Sequence, residues 1–262
     1  MQLVEALCNK DDYSNIPGLW VKKSDGSIAK NEMLMLTENL DALPLPDFRN
    51  MQSSYVIENE KCRNEEPYYN DSLTHYNFIT ARGCPFRCDF CSNSIFYPMF
   101  KGKGRILRQR SVDNVIKELK NAKQHFKKLS SVSCNDELFG LDFSWLNEFC
   151  EKYKKEIGLS FHCDMHPSYV TEEKIAALAK MGLQTISMGI QSGVERTRLE
   201  VFGRNTPDSI ILNAATLFKK YKVFPSYDLI LDNPLENEED VRKTLYFMLQ
   251  LPGRFSLNVS VL

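Results

Sequence analysis

The chain has 262 residues, 43% of them hydrophobic and 26% charged, and its 33 basic and 34 acidic side chains leave a net charge of −1. That length suits one large domain or two small ones, and the balanced charge gives no bulk field for nucleic acid or an anionic membrane surface. No apolar run approaches the roughly 20 residues needed to span a bilayer, and no basic-then-apolar leader follows Met1. A cytoplasmic, reducing location is therefore expected, in which the eight cysteines do not form a disulfide framework.

In chain order, Ile16–Asn31 holds Trp20-Val21-Lys22-Lys23-Ser24-Asp25-Gly26-Ser27-Ile28, which reads as a hairpin turning at Asp25-Gly26. Leu40–Phe48, with Pro44 and Pro46, reads as an extended linker. From His75 onward strands and helices alternate. Tyr76–Ala81 is expected as a strand, Val112–Phe126 as a helix with Ser111 as its N-cap, and Leu129–Cys134 as a strand. Phe143–Tyr153 is expected as a helix and Leu159–Cys163 as a strand. A helix opening at Thr171 runs to Met181 and stops at Gly182, and Gln184–Ile190 follows as a strand. Pro207–Lys220 is helical with Pro207 near its first turn, Val223–Leu231 is a strand, Glu238–Leu251 a helix and Phe255–Leu262 a sixth strand. Strands separated by helices form parallel units. Six in succession predict an α/β fold of the partial (β/α)6 TIM-like barrel kind rather than a doubly wound open sheet. The final strand, expected to be buried, ends the chain without a covering helix, which reads as a piece of a longer protein.

The densest chemical signal is Arg82-Gly83-Cys84-Pro85-Phe86-Arg87-Cys88-Asp89-Phe90-Cys91, a C-x3-C-x2-C run. A self-contained iron–sulfur cluster uses four cysteines. Three leave one iron open, and a metal with an open position is suited to reaction. A zinc-binding interaction module would need a second cysteine pair or Cys/His knuckle, and Cys62 and His75 do not form one. A thioredoxin-like pair of Cys88 and Cys91 would leave Cys84 without a role. Cys8, Cys62, Cys134, Cys150 and Cys163 are scattered and read as mostly buried thiols.

The run resembles the CxxxCxΦC signature of the radical S-adenosylmethionine (radical SAM) enzymes, with Phe90 at the aromatic position. The resemblance continues over residues 75–262. Asp136-Glu137-Leu138-Phe139 is similar to an element that lies against the SAM amino group, and carboxylates at a strand's C-terminal end suit a cation. Ser187-Met188-Gly189-Ile190-Gln191-Ser192-Gly193 is similar to the Gly-Ile-Glu/Gln-Ser-Gly element that faces the ribose and methionine parts, where glycine permits close approach. Gly203-Arg204-Asn205-Thr206 resembles the Arg-x-x-Thr element with one residue fewer between arginine and threonine. Tyr227–Asp240 resembles the fifth-strand element, with Asp232 where glycine is common. His162 and His166 flank the third strand's end and are candidates for lining a substrate pocket.

The resemblance implies a 4Fe–4S cluster on Cys84, Cys88 and Cys91, with SAM held by Phe90, Asp136, Glu137, Gly189, Gln191, Ser192 and Arg204. It also implies an electron donor such as flavodoxin or ferredoxin and a small-molecule or peptide substrate, with no membrane or nucleic-acid partner. Ile16-Pro17-Gly18-Leu19, Asp25-Gly26 and Leu40–Asp47 resemble the junction that follows the cobalamin-binding domain in cobalamin-binding-domain radical SAM proteins. The expected division is thus residues 1–46 as a remnant of that domain, 47–74 as linker and 75–262 as a radical SAM core. Cobalamin would belong to the full-length parent, with methylation or a related modification as the reaction. A catalytically inactive fragment is the other reading of the same residues.

Overall fold

The structure is a computed structural model that describes residues 2–48, 54–57, 60–63 and 73–261. Helix α1 (Gln2–Asn9) precedes a hairpin of β1 (Trp20–Lys22) and β2 (Ile28–Lys30). The hairpin turns where the sequence places it. Asp25 accepts from the Ser27 amide, and Gly26 takes φ 84°, a conformation glycine adopts without steric cost. The expected linker contains a 3-10 turn at Leu40–Ala42 whose Leu40 is buried. A second hairpin, β3 (Ser54–Ile57) and β4 (Glu60–Arg63), lies in the stretch read as linker.

The main body runs β5 (His75–Phe78), β6 (Ala81–Arg82), α2 (Asn93–Met99), β7 (Arg108–Gln109), α3 (Val112–His125), β8 (Ser131–Cys134), α4 (Phe143–Glu156) and β9 (Ser160–Asp164). It continues with α5 (Glu172–Met181), β10 (Leu183–Gln191), α6 (Asp208–Lys220), β11 (Phe224–Leu231), α7 (Glu238–Gln250) and β12 (Ser256–Val261). The start signals hold. Ser111 and Thr171 accept from the amides of Asn114 and Lys174. Asn237 and Asp240 form a reciprocal capping box on α7. Helices α1 and α2 are absent from the sequence reading; α2 is short and contains Pro98, which obscures its period.

One sheet carries β5, β8, β9, β10, β11 and β12 side by side in that order, and every pairing is parallel. Strand order that follows chain order has no switch point, so this is the wall of a partial (β/α)6 TIM-like barrel and not a doubly wound sheet. Its outer face is apolar. Phe78, Val132, Phe161, Ile186 and Met188 pack under the helices against residues such as Leu119, Phe149, Ile175 and Phe218. Its inner face is polar: the registers bring Asn77 beside Ser133, Ser133 beside His162 and His162 beside Thr185. Parallel strands covered on both faces are apolar throughout. The alternation here means that only one face meets helices and the other lines an open lumen.

Two expectations about burial are corrected. All six residues of β12 are exposed, including Leu257, Val259 and Val261, because among the described residues no helix packs over them. Cys8 is exposed on the short α1, whereas Cys134, Cys150 and Cys163 are buried as expected; the side chain of Cys62 lies outside the described residues. Among the described residues, no helix is long and apolar enough to cross a membrane.

Candidate active site

The cysteine loop leaves the C-terminal end of β5, the edge where barrels place their reactive groups. Gly83 takes φ 88°, and a Cβ there would stand 2.5 Å from the Ile106 carbonyl oxygen. Only glycine lets the chain turn into the loop at that point. The loop is then hung on α2. The Ser94 amide and hydroxyl both donate to the Cys91 carbonyl, at 3.0 and 2.7 Å. The Tyr97 hydroxyl donates to the Cys84 carbonyl, and the Arg87 guanidinium lies 4.4 Å above the Tyr97 ring. On its other side the loop is joined to the segment after β10. The Asp89 amide donates to the Phe202 carbonyl at 3.0 Å, and Phe90 meets Phe202 edge-on at 5.2 Å. Gly203, with φ 57°, would bring a Cβ within 2.5 Å of the Asp89 carboxylate.

Cys84, Cys88 and Cys91 all line one cavity of about 310 Å³. Facing them are Phe86, Phe90 and Asn93 from the same stretch, Glu137 and Leu138 after β8, and Asp164 and His166 at the end of β9. Ser187, Gly189 and Gln191 of β10, Asp228 of β11, and Arg204 complete the wall. Cys84 and Cys88 are buried, and burial pushes both thiols up, while the Arg204 guanidinium, which donates to the Cys88 sulfur, pulls that thiol back down. Arg204 also donates to the Gly189 carbonyl at 2.7 Å, and its Nε is buried with no partner. Arg204 lines the cavity and is 8% exposed, and such a partly desolvated guanidinium is suited to a ligand carboxylate.

Gln191 is held in the left-handed region, φ 72°, where the β10 register slips between Gly189 and Gln191. Such outliers cluster at functional sites. A Cβ on Gly189 would fall 2.3 Å from the Gln191 side-chain nitrogen, so Gly189 makes room for Gln191 as much as for any ligand. Glu137 is exposed to the cavity and accepts from Asn93 at 3.1 Å.

Two expected cofactor residues stand elsewhere. Asp136 is not in the cavity wall. Its carboxylate accepts from the Thr80 amide at 2.6 Å, the Ala81 amide at 3.0 Å and the Thr80 hydroxyl, and burial pushes its carboxyl up. It secures the end of β5 ahead of the cysteine loop. Ser192 is not in the wall either. Its hydroxyl donates to Glu236 at 2.7 Å and accepts from the Val194 amide at 3.1 Å. The adjacent Gly193 serves α7, for a Cβ there would meet the Thr244 backbone at 2.5 Å. Of the other departures from the family pattern, Asp232 does what a glycine does: it holds φ 63°, a conformation aspartate tolerates.

Of the two histidines, His166 lines the cavity, stacked 3.9 Å from Phe86. Its Nδ1 accepts from the Ser168 amide at 3.1 Å, so its proton sits on Nε2, which is buried without a partner. Burial and nearby Arg204 hold its pKa down at about 3, so the ring is neutral. His162 does not line the cavity; it is bonded to Thr185 at 2.8 Å and lies within 3.3 Å of Ser187 and Asp164.

Asn93, Asp164 and Asp228 are wall residues the sequence reading did not single out. For the two aspartates a signal existed: each is an inward position of its strand, Asp164 at the end of β9 in phase with His162 and Asp228 within β11 beside Gly189 in the register. Arg198 gave no such signal. It is fully buried on a π-helical turn, Thr197–Val201, with donors to the carbonyls of Ser192 at 2.7 Å and Thr206 at 2.9 Å and to Asp208. It shapes the segment that delivers Arg204, whose amide donates to the Arg198 carbonyl at 2.7 Å.

Among the described residues, no group of three or more His, Cys, Asp or Glu is arranged to hold a single metal ion. Cys84, Cys88 and Cys91 line one cavity, and thiolates gathered in this way suit an iron–sulfur cluster.

Residues 78–248 match the profile of the radical SAM superfamily. The chain is 25% identical over 251 residues to an uncharacterized methyltransferase of Pyrococcus horikoshii, covering 95% of this chain and 50% of that protein. It is 26% identical over 173 residues, 64% of this chain and 30% of the relative, to the cytidylyl-2-hydroxyethylphosphonate methyltransferase of Streptomyces wedmorensis. Among solved structures, the radical S-adenosylmethionine methyltransferase TsrM from Kitasatospora setae superposes with a TM-score of 0.71 at 16% identity, over 98% of this chain and 48% of that one. The cobalamin-dependent S-adenosylmethionine radical enzyme OxsB superposes with a TM-score of 0.69 at 19% identity, over 94% and 34%. These likenesses show the fold, and the chain spans half or less of the length of the curated relatives it matches.

Proposed function

Because this chain belongs to the radical SAM superfamily, we propose that its cavity holds a 4Fe–4S cluster and SAM and that the chain is the core of a radical SAM methyltransferase. The observation that carries this is the convergence of Cys84, Cys88 and Cys91 with Glu137, Gln191 and Arg204 on one cavity. When bound, the cluster supplies one electron for cleavage of SAM to a 5′-deoxyadenosyl radical.

The residues of the chain have separable tasks. Cys84, Cys88 and Cys91 bind three irons as thiolates and must shed their protons to do so; Arg204 eases this at Cys88. The Arg204 guanidinium meets the SAM carboxylate, and the Glu137 carboxylate meets the ammonium group. Gln191 and Asp228 present acceptors to the ribose hydroxyls, and Phe90, fixed by Phe202, packs against the adenine. The cavity's volume, about 310 Å³, falls within the range of about 300–1,000 Å³ in which small-molecule sites are found. The polar inner face of the sheet, which carries Ser133, His162 and Thr185, is left for the substrate.

Methylation is the reaction supported by the relatives: two matched proteins carry methyltransferase names, and two superposed structures are a methyltransferase and a cobalamin-dependent enzyme. Cobalamin is proposed as a further cofactor, with residues 1–46 read as the C-terminal remnant of the domain that would bind it.

The test is anaerobic reconstitution with iron and sulfide. The chain should show the absorbance of a 4Fe–4S cluster and, after dithionite reduction, an EPR signal that changes when SAM is added, with 5′-deoxyadenosine released. Replacing all three cysteines with alanine should abolish both signals. Iron and sulfide retained at full stoichiometry in the triple variant would overturn the assignment, and a cluster that never yields 5′-deoxyadenosine would mark an inactive core.

A further inference from the structure

The cavity wall carries acidic Glu137, Asp164 and Asp228 and basic Arg204. With SAM in place, Arg204 meets its carboxylate and Glu137 its ammonium group, and a ribose hydroxyl, being neutral, cancels nothing on Asp228. Two negative charges are then left over. Among the described residues neither aspartate pairs with a lysine or arginine. Asp164 lies 3.3 Å from His162, a partner that is cationic only when protonated. Asp228 accepts from the neutral Asn258 amide at 2.9 Å. Burial pushes the Asp228 carboxyl up, and the charge of Asp164 adds to the push, so the two carboxylates sense each other.

The sheet behind them offers no counter-charge. Its six strands contain no lysine or arginine, in a chain that has 33 of them. A second hollow of about 380 Å³, lined by His75, Ser133, His162 and Thr185 among others, lies along the strands, and His162 links it to Asp164 and Ser187 of the first. A phosphate or carboxylate entering here meets carboxylates and short neutral side chains, an arrangement that rejects anions, whereas a cleft of one sign gathers the opposite charge. His166 adds an independent mark. It lines the cavity, is 6% exposed, and its Nε2–H has no partner. A buried donor left unpaired is costly, and a ligand oxygen would satisfy it.

We propose that the substrate is an amine: a polar molecule whose protonated amino group is bound by Asp164, with Asp228 adding to the field, and whose nearby hydroxyl or carbonyl oxygen accepts from His166. The proposal rests on the reading of the cavity as the site of the cluster and SAM, because that reading assigns Arg204 and Glu137 elsewhere. A hydrogen bond from an ammonium group to a carboxylate is roughly twice as strong as a neutral one, so Asp164 carries most of the selectivity. Phosphorylated and phosphonylated molecules are excluded by the same charges.

The experiment compares two probes of one skeleton, ethanolamine and 2-hydroxyethylphosphonate, on the cluster-loaded chain with S-adenosylhomocysteine filling the SAM subsite. The dithionite-reduced cluster is paramagnetic and speeds the NMR relaxation of protons held near it, which detects weak binding at this site alone. At equal millimolar concentration, ethanolamine should be relaxed about tenfold more than the phosphonate. Asp164→Asn should remove most of that difference while the EPR signal of the reduced cluster persists, which shows that the variant folds and loads. His166→Phe keeps a ring against Phe86; it should weaken ethanolamine about threefold and leave ethylamine, which lacks the oxygen, unchanged. Equal or stronger relaxation of the phosphonate overturns the proposal, as does no relaxation of ethanolamine or a difference that survives Asp164→Asn. Equal weakening of both amines by His166→Phe overturns the second contact. A parent chain with no 4Fe–4S signal is a different failure, that of the site reading, and removes the proposal with it.

Discussion

Asp136 allows folding and ligand binding to be pulled apart in one residue. Its carboxylate accepts from two backbone amides and one hydroxyl, at Thr80 and Ala81, and is 3% exposed. Alanine leaves those three donors without a partner. At about 1–3 kcal/mol for each stranded buried group, with some recovered by relaxation, Asp136→Ala should cost about 3–5 kcal/mol. Asparagine keeps an acceptor for both amides and offers its own N–H to the Thr80 oxygen, so Asp136→Asn should cost less than about 1 kcal/mol. Urea unfolding at constant m-value measures both. The pH sign follows from burial, which raises the folded carboxyl above its unfolded value. The folded state therefore holds the proton more tightly, and the parent chain should gain stability relative to Asp136→Asn as pH falls through the folded pKa. In SAM titrations of the cluster-loaded protein, Asp136→Asn should bind within about threefold of the parent, since no charge is removed from the cavity. A fully stable Asp136→Asn that loses SAM affinity tenfold or more would refute the reasoning, as would equal destabilisation by the two substitutions.

Gly193→Ala should destabilise by about 2–3 kcal/mol, because its Cβ would press on the α7 backbone, which cannot give way as a side chain can; the denaturation midpoint reads this. Gly189→Ala should instead act on the site. The new methyl would displace the Gln191 amide and crowd Arg204, so SAM affinity should fall about tenfold or more while the midpoint moves little. His166 is neutral when folded, with a pKa of about 3 against an ordinary 6.5. The unfolded chain takes up a proton that the folded one refuses, so stability should decline as pH drops from about 6.5 towards 3, by up to about 1.4 kcal/mol per pH unit. His166→Gln should flatten that slope in midpoint-versus-pH measurements.

The barrel wall was legible in part because α3, α5 and α7 each carry a cap or stop that acts locally. Ser111, Thr171, Gly182 and the Asn237–Asp240 box need only neighbours within a few residues. The exposure of β12 was not legible, since an apolar alternation such as Leu257, Val259 and Val261 reads the same whether or not a helix covers it. Helix α2 was hidden for a related reason. Its Ile95, Phe96 and Met99 face outward, so its apolar residues do not mark a core.

The site was legible up to the points where the chain leaves regular geometry. Cys84, Cys88 and Cys91 sit on one short loop, and their spacing alone brings them together. Gly189, Gln191, Ser192 and Gly193 also lie together in sequence, yet the structure divides them: the first two face the cavity and the last two hold α7. The division falls at Gln191, whose left-handed backbone breaks the two-residue alternation of β10 as the register slips past Ile190. Strand parity assigns every residue up to that break and none after it. The same applies after β8, where Asp136 and Glu137 are adjacent carboxylates with opposite fates: one is drawn back to Thr80 and the other faces the cavity. Arg204 lies beyond a π-helical turn whose shape depends on Arg198, a buried cation bonded to carbonyls six and eight residues away. A change in the length of that turn shifts Arg204 along the cavity wall without altering any recognisable motif. The spacing between Arg204 and Thr206 is therefore a weaker guide to the arginine's role than the carbonyl of Gly189 and the sulfur of Cys88 that it actually meets.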